Sequence, residues 1–395
     1  MQENIHGGDI YSRQIQLDFS VNVNPFGVPE AVTQALHAAV DHVGEYPDIT
    51  AGKLSWAVSR MLSKRYGCEI PGEYLLFGNG ASELFMAIIH VGLPVEKTGD
   101  MGQPEQRQEQ WKQIVIPVPS FYGYEHAAKA ADRRIKYVSL KQALMTENPE
   151  KISTQKDSEC VNQLLEQLTD DVDLLFLANP NNPTGSLWRK ADLKNLLEHC
   201  RRKNITVVLD ECFIEFCEKD PMQPLSMVDE IENYPKLIIV RAFTKIFAIP
   251  GVRLGYLVCS NHTLLEKIQK QLPEWNLSVF AQMAGVACTT DCEKYLADTV
   301  EYVETERAFL RNGLEKLGIR VISGEANFLL LQTEQPIYEK LLQRGILIRD
   351  CENFCGLGKG YYRIAVKKHE ENETLLRELE NVVNRDDTNG RYEIS

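Results

Sequence analysis

VDLLFLANPNNPTGSLWRKADLKNLLEHCRRKNITVVLDECF, residues 172–213, decides the fold. VDLLFLANP (172–180) and NITVVLDE (204–211) are continuous apolar runs of strand length, each ending in polar residues. Between them, RKADLKNLLEHCRRK (189–203) carries an apolar stripe at Leu193, Leu196, Leu197 and Cys200, the spacing of a helix face. Strands apolar on both faces, joined by a helix, predict a parallel sheet covered by helices.

The same pattern extends outward. EYLLFGNG (73–80) reads as a strand ending in glycines, and ASELFMAIIHVG (81–92) as a helix with Leu84, Ile88 and Val91 on one face. KLIIVRAF (236–243) and RLGYLVCS (253–260) add two strands. Residues 291–318 read as one long amphipathic helix ended by Gly318. RVISGEANFLLLQT, a helix in QPIYEKLLQRG, the strands ILIRD and YYRIAV, and a last helix from near Glu370 complete the chain. The expected architecture is an α/β fold with a mostly parallel sheet and a smaller α+β domain. Its expected parts are an N-terminal arm contributing to the small domain (1–50), a large domain (51–288) and a small C-terminal domain (289–395). Polar stretches at 95–113 and 145–160 read as surface insertions.

At 395 residues, with 44% hydrophobic and 25% charged residues, the chain has the make-up of a globular protein. A net charge of −13 argues against a nucleic-acid binder, which needs a basic face. No apolar run approaches the roughly 20 residues that span a bilayer, and no signal-peptide core opens the chain. The ten cysteines form no Cys-x-x-Cys pair. Cys288/Cys292 and Cys351/Cys355 lack the companion ligands of a metal site, so reduced thiols in a cytoplasmic protein are expected.

Ligands of doubly wound sheets collect at the carboxyl ends of strands. Here those ends read Gly78-Asn79-Gly80-Ala81-Ser82, Asn179 to Gly185, Asp210 to Phe213, and Thr244-Lys245. Singly, each has an ordinary reading: a tight turn, a helix cap, a solvated lysine. Together they supply a lysine amine, a glycine-rich turn opening a helix that suits phosphate, a carboxylate and an asparagine. That set is what pyridoxal 5′-phosphate requires.

The order GNGASE, PSFYGY, NPNNPTG, DECF, TKIFAIPGVRLG and YYRIAV resembles the class I/II aminotransferase family, fold type I of the pyridoxal-phosphate enzymes, over nearly the whole chain. The resemblance implies that Lys245 is the Schiff-base lysine, that Asp210 partners the ring nitrogen and that Asn182 bonds the phenolate oxygen. It places Phe121 on the ring face, and Gly80, Ala81, Ser82, Thr244 and Arg253 at the phosphate. Tyr46 would reach the phosphate of a neighbouring subunit, implying a homodimer. Arg363 would bind the substrate α-carboxylate. Phe213 stands where many relatives have a tyrosine that helps hold the phenolate.

Two groups of this family, the histidinol-phosphate aminotransferases and the L-threonine-O-3-phosphate decarboxylases of cobalamin synthesis, fit the motifs. The arm with His6-Gly7-Gly8, LDFSVNVNPFG (17–27), DECFIEF (210–216) and ILIRD (346–350) resemble the decarboxylases more. That resemblance assigns His6, Asn22 and Arg349 to a substrate phosphate. Regulators of this fold instead carry a basic DNA-binding head, which neither the short arm nor the acidic balance matches. The resemblance therefore implies an enzyme acting on a phosphorylated amino acid, foremost as an L-threonine-O-3-phosphate decarboxylase, with an aminotransferase of the histidinol-phosphate type or of broader amino-acid:2-oxoglutarate scope as the alternative.

Overall fold

A computed structural model describes residues 7–11, 14–91, 113–140, 156–220, 222–290 and 292–389. His6 lies outside them, as does most of the two polar stretches. Gln113, read as the end of the first stretch, opens a strand. The end of the second stretch lies within the helix Lys156–Gln167.

Strand β1 (Leu17–Asp18) stands apart from the main sheet. That sheet contains β2 (Leu75–Gly78), β3 (Gln113–Val118), β4 (Arg134–Ser139), β5 (Val172–Ala178), β6 (Thr206–Asp210), β7 (Leu237–Ala242) and β8 (Gly255–Val258). Its seven strands run in the order β2-β8-β7-β6-β5-β3-β4. All neighbours are parallel except β8, which is antiparallel to both β7 and β2. The connection from β7 to β8 holds one turn of helix, Phe243–Ile246, and no crossover helix that would return the chain in a parallel sense.

Residue chemistry explains the layers. The helix Lys190–Arg202 buries Leu193, Leu196, Leu197 and Cys200 against Leu175, Leu177, Val207 and Leu209. Each buried leucine contributes roughly 1.5–3 kcal/mol relative to exposure. On the opposite face, Phe176, Val208, Ile238 and Val240 pack with Leu84, Phe85, Ile88 and Ala127. The alternation along each strand thus divides one continuous apolar run between two helical layers.

A smaller antiparallel sheet contains β9 (Arg320–Ile322), β10 (Phe328–Gln332), β12 (Arg349–Asp350) and β13 (Tyr361–Ala365), in the order β12-β13-β10-β9. β11 (Ile346–Leu347) pairs with β1, tying the N-terminal segment to this part of the chain. The helices Cys292–Lys316 and His369–Asn389 cover the small sheet through Leu310, Leu314, Leu375 and Leu379. The long helix gives way to a turn at Gly318, whose φ of +72° favours glycine.

Candidate active site

A cavity of about 400 Å³ lies where the carboxyl ends of β2, β5, β6 and β7 meet β12 and β13. Gly80, Ala81, Ser82, Phe121, Asn182, Asp210, Phe213, Thr244, Lys245 and Arg253 line it, together with Asn22, Arg349 and Arg363. Residues scattered over more than 340 positions of sequence therefore share one space. Tyr46 is not among them. It is 84% exposed, with its ring 5.1 Å from that of Trp275.

Lys245 closes the β7 end within the single turn Phe243–Ile246. Among the described residues its side chain makes no hydrogen bond or ion pair, and burial, followed by the Arg363 cation, lowers its pKa to about 8. The amine is thus easier to deprotonate than an ordinary lysine, as a nucleophile or base near neutral pH requires. The Lys245 backbone is held from outside, because the Asn24 amide donates to its carbonyl at 3.0 Å and Asn24 Nδ2 donates to Ile246 O at 2.8 Å.

Asp210 ends β6. Its carboxylate accepts from the Cys212 amide at 2.9 Å and from the Tyr124 hydroxyl. These donors are neutral, and burial raises its pKa against their opposing effect. A buried carboxylate with neutral partners has electrostatic room for a cation.

The glycine-rich turn is shaped by close approach. Gly80 has φ +76°, and a Cβ there would meet Arg253 Nη2 at 2.7 Å. A Cβ at Gly255 would meet Ala81 N and Gly80 C, both at 2.8 Å. Two bare positions thus let the β2 turn, the start of β8 and a guanidinium crowd the opening of the helix Ala81–Val91. Glu83 fixes that opening by accepting from the Asn79 amide at 2.7 Å. Amide groups at a helix start, beside the Thr244 hydroxyl and Arg253, are a donor set suited to an anion.

Arg349 and Arg363 are directly opposed in the β12–β13 register, and both reach the cavity. Arg349 donates to Asn353 Oδ1 at 2.7 Å and lies 5.2 Å from the Phe354 ring centroid. Arg363 donates to Asn182 Oδ1 and to Ser20 O, the latter at 3.0 Å, and lies 5.4 Å from the Phe328 ring centroid. Among the described residues no carboxylate pairs with Arg363, and its buried Nε has no partner. Burial lowers Arg363 to about 10, with the Arg349 cation acting in the same direction. Directly opposed like charges destabilise a strand pair unless an anion offsets them.

Gly7 also lines the cavity. A Cβ there would sit 2.6 Å from Ser20 O, the carbonyl that accepts from Arg363. The Gly8 amide, at φ +87°, donates to Ser20 Oγ at 2.7 Å. The paired glycines therefore let the arm lie flat against the segment that holds Arg363. Asn22 is 2% exposed and its buried Oδ1 has no partner.

Sequence reasoning missed Tyr124, Ser20, Gly255 and the pair Asn353–Phe354. Only Tyr124 carried a usable signal: it lies three residues beyond Phe121, a spacing that returns a side chain to the same side of a helix.

Phe213 is buried and meets Phe328 edge-on, with ring centroids 5.2 Å apart. It has no hydroxyl to donate into the cavity. Phe213→Tyr in the cofactor-loaded protein is expected to lower the pH midpoint of the visible absorbance by about one to two units, the worth of one charge-assisted hydrogen bond. A spectroscopic pH titration checks this, and a wild-type midpoint equal to or below that of the variant rejects it.

The aminotransferase class I and II family model matches residues 14–379, and the chain belongs to that family. It is similar to the threonine-phosphate decarboxylase of Salmonella typhimurium, 31% identical over 96% of each chain. It is 27% identical to a histidinol-phosphate aminotransferase of Methanosphaera stadtmanae, over 92% of this chain and 89% of the relative. Among solved structures, the histidinol-phosphate aminotransferase of Clostridium acetobutylicum is similar with a TM-score of 0.78. It is 32% identical, covering 93% of this chain and 99% of that one. The mostly parallel sheet and smaller α+β part are those of fold type I.

Proposed function

We propose that this chain is a pyridoxal 5′-phosphate enzyme acting on a phosphorylated amino acid, as an L-threonine-O-3-phosphate decarboxylase. The carrying observation is the opposed pair Arg349 and Arg363 beside Lys245, two cations on one wall that call for a substrate with two anionic ends. A phosphorylated amino acid supplies a carboxylate and a phosphate at once. The similarity to a threonine-phosphate decarboxylase over the full length supports the same reading.

The cavity fits the cofactor on three counts. Asp210 is a buried carboxylate whose bonds come from neutral donors, suited to a protonated ring nitrogen. Gly80 and Gly255 let the β2 turn, the start of β8 and Arg253 close together with no side chain between them, and at that corner Ala81, Ser82, Thr244 and Arg253 would hold the phosphate. Phe121 offers an aromatic face, and Asn182 an amide for the phenolate oxygen. When bound, the cofactor supplies an electron sink for the bond broken at the substrate α-carbon.

The residues do the remaining work. Lys245, with its lowered pKa, supplies the amine that holds the cofactor and afterwards delivers a proton from Nζ to the α-carbon. Arg363 grips the carboxylate with its planar fork, while Arg349 and Asn22 take the phosphate, with His6 as a further donor. Which bond at the α-carbon lies in line for cleavage follows from how these groups hold the two anions. A second reading, aminotransfer of the histidinol-phosphate type, draws on the solved structure at 32% identity.

We assign the active form to a cytoplasmic homodimer in which Tyr46 reaches the phosphate of the neighbouring copy. The exposed apolar run Val40, Val43, Tyr46 and Ile49 supports such a contact.

The deciding experiment offers the cofactor-loaded protein O-phospho-L-threonine alone, then histidinol phosphate with 2-oxoglutarate. Carbon dioxide released from the first without any oxo acid is expected. Glutamate formed from the second, with no carbon dioxide from the first, would establish aminotransfer instead.

A further inference from the structure

Tyr124 is 1% exposed, yet its hydroxyl is not idle: it donates to Asp210 Oδ2. The Cys212 amide takes the other oxygen, so both sides of the carboxylate are fixed. The Tyr124 ring is immobilised in turn. It stacks on Phe176 at 5.0 Å with 15° between planes, and meets Phe85 edge-on at 5.0 Å and Phe121 edge-on at 5.6 Å. One side chain therefore touches both the residue assigned to the cofactor's ring face and the carboxylate assigned to its nitrogen.

We propose that Tyr124 is a positioning residue that acts through Asp210, holding the carboxylate ionised and aimed so that it keeps a proton on the cofactor's ring nitrogen. This rests on the reading of the cavity as a pyridoxal-phosphate site. Burial alone would favour the protonated, neutral form of Asp210. A carboxyl that took the proton for itself would leave the ring nitrogen neutral and the electron sink weak. Hydrogen bonds from Tyr124 and Cys212 oppose that transfer by stabilising the anion. Burial also pushes the Tyr124 phenol well above its ordinary value, so it remains a donor across the neutral range. The other titratable groups facing this cluster are the Cys212 thiol, itself raised by burial, and Lys245.

The test uses pyridoxal 5′-phosphate carrying nitrogen-15 in its ring, bound to wild type, Tyr124→Phe, Asp210→Asn and the double variant. In wild type, the nitrogen resonance is expected at the protonated position through neutral pH. In Tyr124→Phe it is expected to shift toward the neutral-pyridine position at pH values where wild type is protonated, because the proton passes to Asp210 without leaving the pair. The kcat is expected to fall about tenfold, with KM for O-phospho-L-threonine nearly unchanged. Replacing Tyr124 by 3-fluorotyrosine keeps the shape but strengthens the donor, and should keep the resonance at the protonated position. Because Tyr124 acts through Asp210, adding Tyr124→Phe to Asp210→Asn should change neither the resonance nor kcat further. A Tyr124→Phe resonance at the wild-type position, a 3-fluorotyrosine resonance displaced toward neutral pyridine, or a double variant with summed losses would overturn the proposal. A wild type that shows no bound-cofactor resonance at all would overturn the site assignment itself, and this proposal with it.

Discussion

Lys245→Ala is expected to remove the visible cofactor band and to lower kcat by about 10⁴-fold or more. Two roles vanish together, the amine that holds the cofactor and the Nζ that returns a proton to carbon. The effect should be chemical rather than structural. Among the described residues the Lys245 side chain makes no hydrogen bond or ion pair, and burial already disfavours its charge. Its loss therefore leaves no partner stranded, and thermal unfolding of the apoprotein should match wild type. Absorbance spectra, single-turnover rates and melting curves on the same preparation separate these effects. An unchanged band would remove Lys245 from its assigned role.

Arg363→Gln is expected to lower kcat/KM for a carboxylate-bearing substrate by roughly 2–5 kcal/mol, or about 30- to 4,000-fold. The guanidinium is buried, lacks a carboxylate partner and is already held at one edge by Asn182 and Ser20. The side chain lines the cavity, so a substrate carboxylate there would meet a pre-oriented charged donor. The control is a phosphorylated amino alcohol without the carboxylate. Its affinity should change little in the variant, because the phosphate is assigned to Arg349. Equal losses for both ligands would mean that Arg363 does not distinguish the carboxylate.

Much of this site was legible in the sequence because its members stand at strand ends. Asp210, Lys245 and the Gly80 turn each follow an apolar run, and a doubly wound sheet gathers such ends along one edge. Strand direction was less legible. RLGYLVCS has the same apolar character whether parallel or antiparallel, and only the one-turn connection from β7 shows which. The opposition of Arg349 and Arg363 depends on the β12–β13 register, which is fixed by packing across the small sheet. The hydrogen bond from Tyr124 to Asp210 spans 86 positions, so no local pattern carries it. Gly255 reads as an ordinary strand glycine until the β2 turn is seen resting against it. The paired glycines of the arm carry no visible role in the sequence; the contact with Ser20 supplies one, since the Gly7 backbone lies against it with no space for a side chain.

Every role proposed above requires the cavity at these strand ends to hold pyridoxal 5′-phosphate on Lys245. Borohydride reduction of the cofactor-loaded protein, followed by peptide mass mapping, tests it most directly. One phosphopyridoxyl group is expected, on the peptide containing Lys245. A group fixed to a different lysine, or none, would contradict it.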